Sequence, residues 1–124
     1  MFLDRYVPIP REDITEMLCG LRLGDAYCDL GSGDGRLLVA AKTMGAGSVT
    51  GYEMNDELVA KVCDIIQGVL VVASDFMKID WGRFDYLTFF GDECWSDLVT
   101  AKFKAETRSG SRLKLYQKEL LVQP

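Results

Sequence analysis

The segment that most constrains the fold of this chain is residues 27–36, Tyr-Cys-Asp-Leu-Gly-Ser-Gly-Asp-Gly-Arg. An apolar run ends in Asp29, a turn dense in glycine follows, and a helix-compatible run opens at Arg36. A strand, a glycine turn and a helix N-terminus in this order bring bare backbone close to a ligand, because glycine has no side chain and the helix start carries unpaired N–H groups. The segment therefore predicts a binding loop at the start of a crossover helix.

The spacing of the glycines indicates which ligand the loop takes. Gly31, Gly33 and Gly35 stand at alternate positions, with Asp29 two residues ahead of the first. Dinucleotide-binding folds use Gly-x-Gly-x-x-Gly instead. The form Asp-x-Gly-x-Gly-x-Gly resembles the nucleotide loop of class I methyltransferases, which bind S-adenosylmethionine. That ligand is a sulfonium amino acid, and Asp29 suits its ammonium group better than a pyrophosphate.

Strand-like and helix-like segments alternate along the chain. The predicted strands are 26–30, 48–54, 69–73, 86–90 and 112–117, and the predicted helices are 12–21, 35–44, 56–67 (with Asn55 as N-cap) and 95–106. This order predicts an α/β fold, a doubly wound, Rossmann-like parallel sheet with strand order 3-2-1-4-5. Because 112–117 alternates between charged and apolar residues, we expect it to be an edge strand with one face in water.

The length of 124 residues fits one domain, residues 1–124, in which 1–22 form an N-terminal flap and helix. Only 14 residues follow Gly110. Strands 6 and 7 of the full class are therefore not expected to fit, and the sequence predicts a minimal or C-terminally truncated form of the fold without that hairpin.

Charge and composition argue against several classes of function. Nineteen acids and fourteen bases give a formal charge of −5, which repels phosphate backbones and disfavours nucleic acid as a partner. The basic residues between Lys102 and Lys118 are interrupted by Glu106 and Glu119, so a solvated helix face and a strand edge explain them better than a nucleic-acid patch. The chain has no histidine, which excludes a His-dependent triad and weakens any zinc site, and no metal is expected.

The cysteines and the hydropathy pattern bear on where the protein acts. The four cysteines form no Cys-x-x-Cys pair and three lie in apolar runs, which favours buried free thiols in a reducing compartment. No stretch is long enough to span a bilayer, and the first residues lack a signal-peptide pattern. We therefore expect a cytoplasmic protein that is not inserted in a membrane.

Three acids fall at the predicted carboxyl ends of neighbouring strands, where ligands bind in such sheets: Asp29, Glu53 and Asp75. Glu53 is placed to accept both hydroxyls of a ribose, although it could also be an ordinary strand-end acid. Asp75 and the backbone of Phe76 would meet an adenine edge, and Met54 would lie against the base. Alternatively, Asp75 caps the turn at Phe76.

A more specific resemblance rests on Tyr6-Val-Pro-Ile-Pro10, residues 27–36 and Gly51-Tyr-Glu-Met54. From about residue 6 to 90 the chain is similar to small protein lysine methyltransferases, which include archaeal broad-specificity enzymes and the mitochondrial enzyme of the ATP synthase c subunit. The resemblance implies S-adenosyl-L-methionine as cofactor, S-adenosyl-L-homocysteine as product, and a flap at residues 6–8. The expected cofactor contacts are Tyr6, Val7, Pro8, Asp29, Leu30, Gly31, Ser32, Gly33, Gly35, Glu53, Met54, Asp75 and Phe76.

On the acceptor side, no catalytic residue is identified, and the candidates for an apolar acceptor channel are Tyr6, Phe90 and Trp95. Such a channel would help a lysine amine lose its proton by desolvating it. Phe89 and Phe90 are equally explained as core residues. Asp92 and Glu93 would steer a cationic side chain, or would cap the helix at Trp95. The segment 91–95 departs from the Leu-Pro-like turn of the resembling enzymes, and no Asn/Asp-Pro-Pro-Tyr element follows it, which argues against methylation of base amino groups.

Three functions fit these patterns. The first is methylation of protein lysine amines, and the second is methylation of a small molecule. The third is a minimal cofactor-binding module with little activity. An exposed edge strand at 112–117 could pair with its counterpart in a homodimer, or Arg112, Lys114 and Lys118 could prevent such pairing.

Overall fold

The computed structural model of the protein describes residues 9–115 and the backbone of residues 118–121. The helices are α1 (Arg11–Met17), α2 (Arg36–Thr43), α3 (Asp56–Ile65) and α4 (Ser96–Glu106). The strands are β1 (Ala26–Leu30), β2 (Ser48–Glu53), β3 (Leu70–Ala73), β4 (Tyr86–Phe89), β5 (Arg112–Leu115) and β6 (Lys118–Leu121). Short 3-10 turns occupy Phe76–Lys78 and Glu93–Trp95.

These strands form one sheet in the order β3-β2-β1-β4-β5-β6. Strands β1 to β5 are parallel to their neighbours, and β6 runs antiparallel to β5. The predicted α/β fold and the strand order 3-2-1-4-5 are thus confirmed. The carboxyl ends of β1, β2, β3 and β4 meet at one edge of the sheet, where the candidate site lies.

The prediction that residues 112–117 form an exposed edge strand is wrong. The expectation that no further strand fits after Gly110 is also corrected, because strand β6 pairs with β5 from Arg112 opposite Leu121 to Leu115 opposite Lys118. All four residues of β5 are buried. Burial of Arg112 is tolerated because its Nη2 lies 2.6 Å from Asp25 Oδ2 and its guanidinium lies 5.1 Å from the ring centre of Tyr86. The edge proposed for a homodimer is therefore covered within the chain.

Each face of the sheet carries its own hydrophobic cluster. The α2 face holds buried residues of α1, α2, α3 and alternate strand positions: Ile9, Met17, Leu18, Tyr27, Leu37, Leu38, Ala41, Val49, Val62, Val71 and Tyr86. The α4 face holds the other alternate positions with Val99 and Phe103 of α4: Cys28, Leu30, Tyr52, Phe76, Trp81, Phe84, Leu87, Phe89, Leu113 and Leu115. Helices on both sides of a parallel sheet explain why the strands are apolar on both faces.

Helix α3 begins as predicted at an asparagine cap. The side chain of Asn55 accepts hydrogen bonds from the backbone N–H groups of Glu57 and Leu58, at 3.0 and 3.2 Å. This cap satisfies two of the free donors at the helix start. It also fixes the direction in which the chain leaves β2, directly after Glu53.

The cysteines differ from the sequence expectation. All four are free, but only Cys28 is buried, whereas Cys19, Cys63 and Cys94 are exposed. In α3, for example, Val62 is buried while the adjacent Cys63 lies on the exposed side of the helix. In the part of the chain that the structure describes, no helix is long and apolar enough to cross a membrane.

Candidate functional site

The loop between β1 and α2 needs glycine at all three alternate positions. Gly31, Gly33 and Gly35 have φ angles of 85°, 56° and 82°, in the left-handed region that other residues rarely adopt. Gly35 has a second constraint, because a Cβ added there would lie 2.9 Å from Ile66 Cδ1 and 3.2 Å from Val62 Cγ1. The backbone geometry of the loop and the close approach of α3 together account for the pattern in the sequence.

The backbone N–H groups of the loop donate hydrogen bonds within the protein. Those of Gly31 and Ser32 both donate to the carbonyl of Tyr52 on β2, at 2.8 and 3.0 Å. That of Gly33 donates to Glu53 Oε1 at 2.8 Å, and that of Gly35 donates to the carbonyl of Ser32 at 2.9 Å. Phosphate-binding loops instead present free N–H groups to the ligand. Four donors of this loop are already used, so it is poorly suited to a pyrophosphate.

The carboxylate of Glu53 is held between the loop and the start of α3. Its Oε1 accepts the Gly33 N–H and its Oε2 accepts the Asn55 N–H at 2.9 Å. Each carboxylate oxygen has a further lone pair, so Glu53 retains the capacity to accept two ligand hydroxyls. Its fixed orientation means that a ligand would meet a preformed acceptor.

Asp29 closes β1 as a buried carboxyl group, with 3% of its surface exposed. Thr88 of β4 donates to its Oδ1 from Oγ1 at 2.9 Å. Burial raises the pKa of Asp29 to about 8, against the lowering effect of the Thr88 hydroxyl, and the negative charges of Glu53 and Asp34 raise it further. At neutral pH this carboxyl group is therefore mostly protonated, and a bound cation would favour its ionised form.

An open surface lies over the first glycine of the loop. Gly31 is exposed, and a Cβ added there would meet only Phe76 Cε2, at 3.9 Å. The Phe76 ring is itself buried and packs edge-on against Phe89, with ring centres 5.6 Å apart. The turn after β3 is thus brought next to the loop after β1, as the sequence predicts for a shared ligand.

The residues expected around an adenine have mixed outcomes. Asp75 Oδ1 accepts the N–H of Met77 at 2.9 Å, so the capping alternative is observed, and its contact with adenine stays a prediction. Met54 follows β2 and is 37% exposed. Its side chain is accessible at the same edge of the sheet.

Two loop residues turn their side chains inward. Leu30 is fully buried in the α4-face cluster, so it can reach a ligand only through its backbone. The Oγ of Ser32 is buried, and no described residue forms a hydrogen bond with it. It lies against Gly51 of β2, where an added Cβ would be 2.7 Å from that oxygen.

The acceptor side is less complete. Phe90 packs against the α2-face cluster and Trp95 against the α4-face cluster, so the described residues do not bring these two rings together. Phe89 is a core residue. Asp92 and Glu93 are exposed, and Asp92 makes no side-chain cap to the following 3-10 turn. Tyr6, Val7 and Pro8 lie outside the described residues.

Sequence reasoning missed two side chains at this site, Thr88 and Arg36. The signal for Thr88 was a single threonine in a strand, 86–90, that otherwise holds leucine and aromatic residues. Arg36 binds the Asp34 carboxylate through Nε and Nη2, with the shorter contact at 2.6 Å, and donates from Nη1 to the carbonyl of Ile9 at 2.8 Å. It therefore ties the segment before α1 to the glycine loop.

No protein-family model matches this chain, and no curated protein matches it. Solved structures do. An RNA methyltransferase from Salinibacter ruber in complex with S-adenosyl-L-homocysteine is 22% identical with a TM-score of 0.77, over 86% of this chain and 75% of that one. An S-adenosylmethionine-dependent methyltransferase from Mesorhizobium loti is 19% identical, with a TM-score of 0.68 over 82% and 50% of the two chains.

A third similar structure is an S-adenosylmethionine-dependent O-methyltransferase from Thermotoga maritima, 20% identical with a TM-score of 0.67, over 90% of this chain and 45% of that one. The chain thus spans 75% of the first of these proteins and about half of the other two. The chain therefore shares its Rossmann-like fold with these three methyltransferases.

Proposed function

We propose that this chain binds S-adenosyl-L-methionine and acts as a methyltransferase. The observation that carries the proposal is the loop after β1, whose three left-handed glycines are flanked by the carboxyl groups of Asp29 and Glu53. These groups fit the cofactor by their chemistry. Asp29 would bind the ammonium group and Glu53 the ribose hydroxyls. The open face of Gly31 would leave room for the part of the cofactor that joins these groups.

The electrostatics of the site support a cationic nucleoside over a dinucleotide. Burial raises the pKa of Asp29, and the negative charges of Glu53 and Asp34 raise it further, so a phosphate placed beside these acids would be repelled. Four loop N–H groups that a phosphate would need are already used. Nicotinamide and flavin dinucleotides are therefore poor candidates.

The contribution of the protein to the reaction would be alignment. When bound, the cofactor supplies a methyl group on an already activated sulfonium. The chain's own residues hold the ends of that molecule through Asp29 and Glu53, and such positioning is worth up to about 7–11 kcal/mol in favourable cases. No general base is required among the described residues if the acceptor arrives deprotonated.

For the acceptor, we propose an amine, with protein lysine as the leading candidate. Asp92 and Glu93 are exposed just beyond β4 and would attract a cationic side chain. The Tyr6-Val-Pro8 segment resembles lysine methyltransferases. Three basic residues near the chain end are ion-paired: Lys102 with Glu106, Arg108 with Asp85 and Arg112 with Asp25. These pairs reduce the positive charge that this region would offer to a nucleic acid.

A small-molecule acceptor is the second candidate. The observation that favours it is the placement of Phe90 and Trp95 against opposite faces of the sheet. Two rings packed on opposite faces do not by themselves line a narrow channel for a lysine side chain. A small amine would need less of such a channel.

Binding of S-adenosyl-L-homocysteine, measured by titration calorimetry, tests the cofactor. NAD⁺ and ATP are the matched controls. We expect S-adenosyl-L-homocysteine to bind and neither control to bind. Absence of binding by both S-adenosyl-L-homocysteine and S-adenosyl-L-methionine would overturn the proposal.

Transfer of a radiolabelled methyl group tests the acceptor. Mixed protein, RNA and a set of small amines are offered in parallel, and label recovered as methyl-lysine after hydrolysis supports the leading candidate. Label only in small amines supports the second, and label in RNA overturns the argument from charge. Cofactor binding without any product would indicate a binding module.

A further inference from the structure

Three buried side chains of β1 and β4 form a continuous hydrogen-bonded chain that ends at Asp29. The hydroxyl oxygens of Tyr27 and Thr88 lie 2.6 Å apart, and Thr88 Oγ1 lies 2.9 Å from Asp29 Oδ1. Tyr27 and Thr88 are completely buried. The strand register places Thr88 directly beside Asp29, so all three groups lie on the α2 face of the sheet.

The direction of donation along these hydrogen bonds follows from the number of hydroxyl hydrogens. Thr88 has one hydroxyl hydrogen, and when it is donated to Asp29 the Tyr27 hydroxyl must donate to Thr88. In this order Oδ1 of Asp29 is the acceptor at the end of the hydrogen bonds, and a proton on Asp29 would be carried by its other oxygen, Oδ2.

We propose that Thr88, aligned by Tyr27, is a positioning residue that presents Asp29 as an acceptor for the ammonium group of the cofactor. This inference rests on the proposed function. Neither hydroxyl needs to touch the cofactor. They act through Asp29, whose orientation and ionisation they set.

Most groups around Asp29 oppose its ionisation or are engaged elsewhere. Burial raises the pKa of Asp29, Glu53 of β2 and Asp34 of the loop raise it further, and the Thr88 hydroxyl lowers it. Arg36 of α2 is paired with Asp34. Cys28 faces the opposite side of β1, and the Tyr86 hydroxyl of β4 donates to the Met17 carbonyl. Lys114 of β5, in register with Thr88, is the exception, because a cation there would favour an ionised Asp29.

Thr88 is therefore the neutral donor that keeps Asp29 within reach of ionisation. Without it, burial and the two neighbouring acids act unopposed. An ammonium ligand would then have to displace a proton that is held more tightly, and binding near neutral pH would weaken.

The direct test is a titration of Asp29 in the free protein by carboxyl ¹³C NMR, with D29N to assign the signal. We expect Thr88→Val, which keeps the shape and removes the hydroxyl, to raise the pKa of Asp29 by about one unit. Thr88→Ser should restore the wild-type value, and Tyr27→Phe should move it upward by less. An unchanged titration in a folded Thr88→Val variant would overturn the proposal. If that variant does not fold, as judged by circular dichroism, an unchanged titration in Tyr27→Phe would do so.

The functional test is the affinity for S-adenosyl-L-homocysteine as a function of pH. A one-unit shift predicts an affinity about tenfold lower for Thr88→Val at pH 7, with the difference narrowing as the pH rises past the pKa of Asp29. A loss that is the same at every pH would indicate only a structural role and would contradict the proposal. If the wild-type protein binds no S-adenosyl-L-homocysteine at any pH, the proposed function fails, while the NMR titration still decides whether Thr88 controls Asp29.

Discussion

Glu53 of β2 accepts a hydrogen bond from the backbone N–H of Gly33 at 2.8 Å. The residue proposed to hold the ribose therefore also fastens the glycine loop to the neighbouring strand. Binding and loop geometry depend on the same carboxylate, so they should change together when it is altered.

Replacement of Glu53 by alanine should weaken binding of S-adenosyl-L-homocysteine by about 1.5–3 kcal/mol, because a charged hydrogen-bond acceptor is lost. The N–H of Gly33 loses its partner as well, so its hydrogen exchange should accelerate. Calorimetry and amide exchange measure the two effects. Glu57→Ala is the control, since Glu57 is an exposed acid in the first turn of α3. An unchanged affinity in folded Glu53→Ala would remove Glu53 from the site.

Gly31 and Gly110 form a matched pair for testing where the cofactor runs. Both have positive φ angles, 85° and 94°, and an added Cβ meets no atom closer than 3.9 Å at the first and none within 4 Å at the second. Alanine at either position should cost a similar backbone strain of about 1–2 kcal/mol, measured by urea unfolding. Only Gly31→Ala should lose affinity for S-adenosyl-L-homocysteine, by at least about tenfold. Equal affinities for the two variants would show that the ligand does not pass over Gly31.

The raised pKa of Asp29 predicts a pH-dependent stability. Its value of about 8 in the folded protein exceeds the ordinary 3.8, so between these values the folded state holds a proton that the unfolded chain releases. The Asp29 contribution to the free energy of unfolding should therefore fall as pH rises through this window, by at most about 1.4 kcal/mol per unit, and level off above it.

Asp29→Asn removes this titration. The stability difference between the variant and the wild type should grow in favour of the variant from pH 4 to pH 8. Chemical unfolding at several pH values measures it, and using the difference cancels the other carboxylates. A difference that is constant with pH would mean that Asp29 is ionised at neutral pH in the folded protein.

Arg112 and Arg108 should differ greatly in their contribution to the free energy of unfolding. Arg112 is buried against Asp25, with side-chain exposures of 4% and 12%, whereas the pair of Arg108 with Asp85 is 56% and 32% exposed. Arg112→Ala leaves Asp25 with little compensation and should destabilise the fold by about 3 kcal/mol. Arg108→Ala should cost less than about 1 kcal/mol, because its pair is screened by water. Thermal or urea unfolding gives both values, and similar losses would contradict the structural role assigned to Arg112.

The sequence predicts strands and helices best where a glycine turn or a helix cap marks their ends. The first strand is found at Ala26–Leu30 as predicted, because the glycine turn that ends it is unmistakable, and α3 begins at its asparagine cap. Helix α1 ends at Met17, earlier than the predicted residue 21, because an apolar periodicity continues through the turn that follows the helix. Element type follows from local pattern, and boundaries follow less well.

What the sequence does not reveal depends on partners far along the chain. Arg112 is read as exposed because its ion-pair partner, Asp25, lies 87 residues away. Thr88 is read as one more strand residue because Asp29 lies 59 residues away. Burial of a charged or hydroxyl group depends on such partners, and a local pattern of alternation carries no information about them.

The hydrogen bonds that the glycine loop donates within the protein have a thermodynamic consequence. A loop whose N–H groups already donate to Tyr52, Glu53 and Ser32 has given up most of its conformational entropy during folding. A ligand that binds there loses little free energy to ordering the loop. Association should therefore resemble docking onto a rigid surface, with an affinity set by the contacts themselves and with little change in amide protection at residues 31–35 between the free and the bound protein.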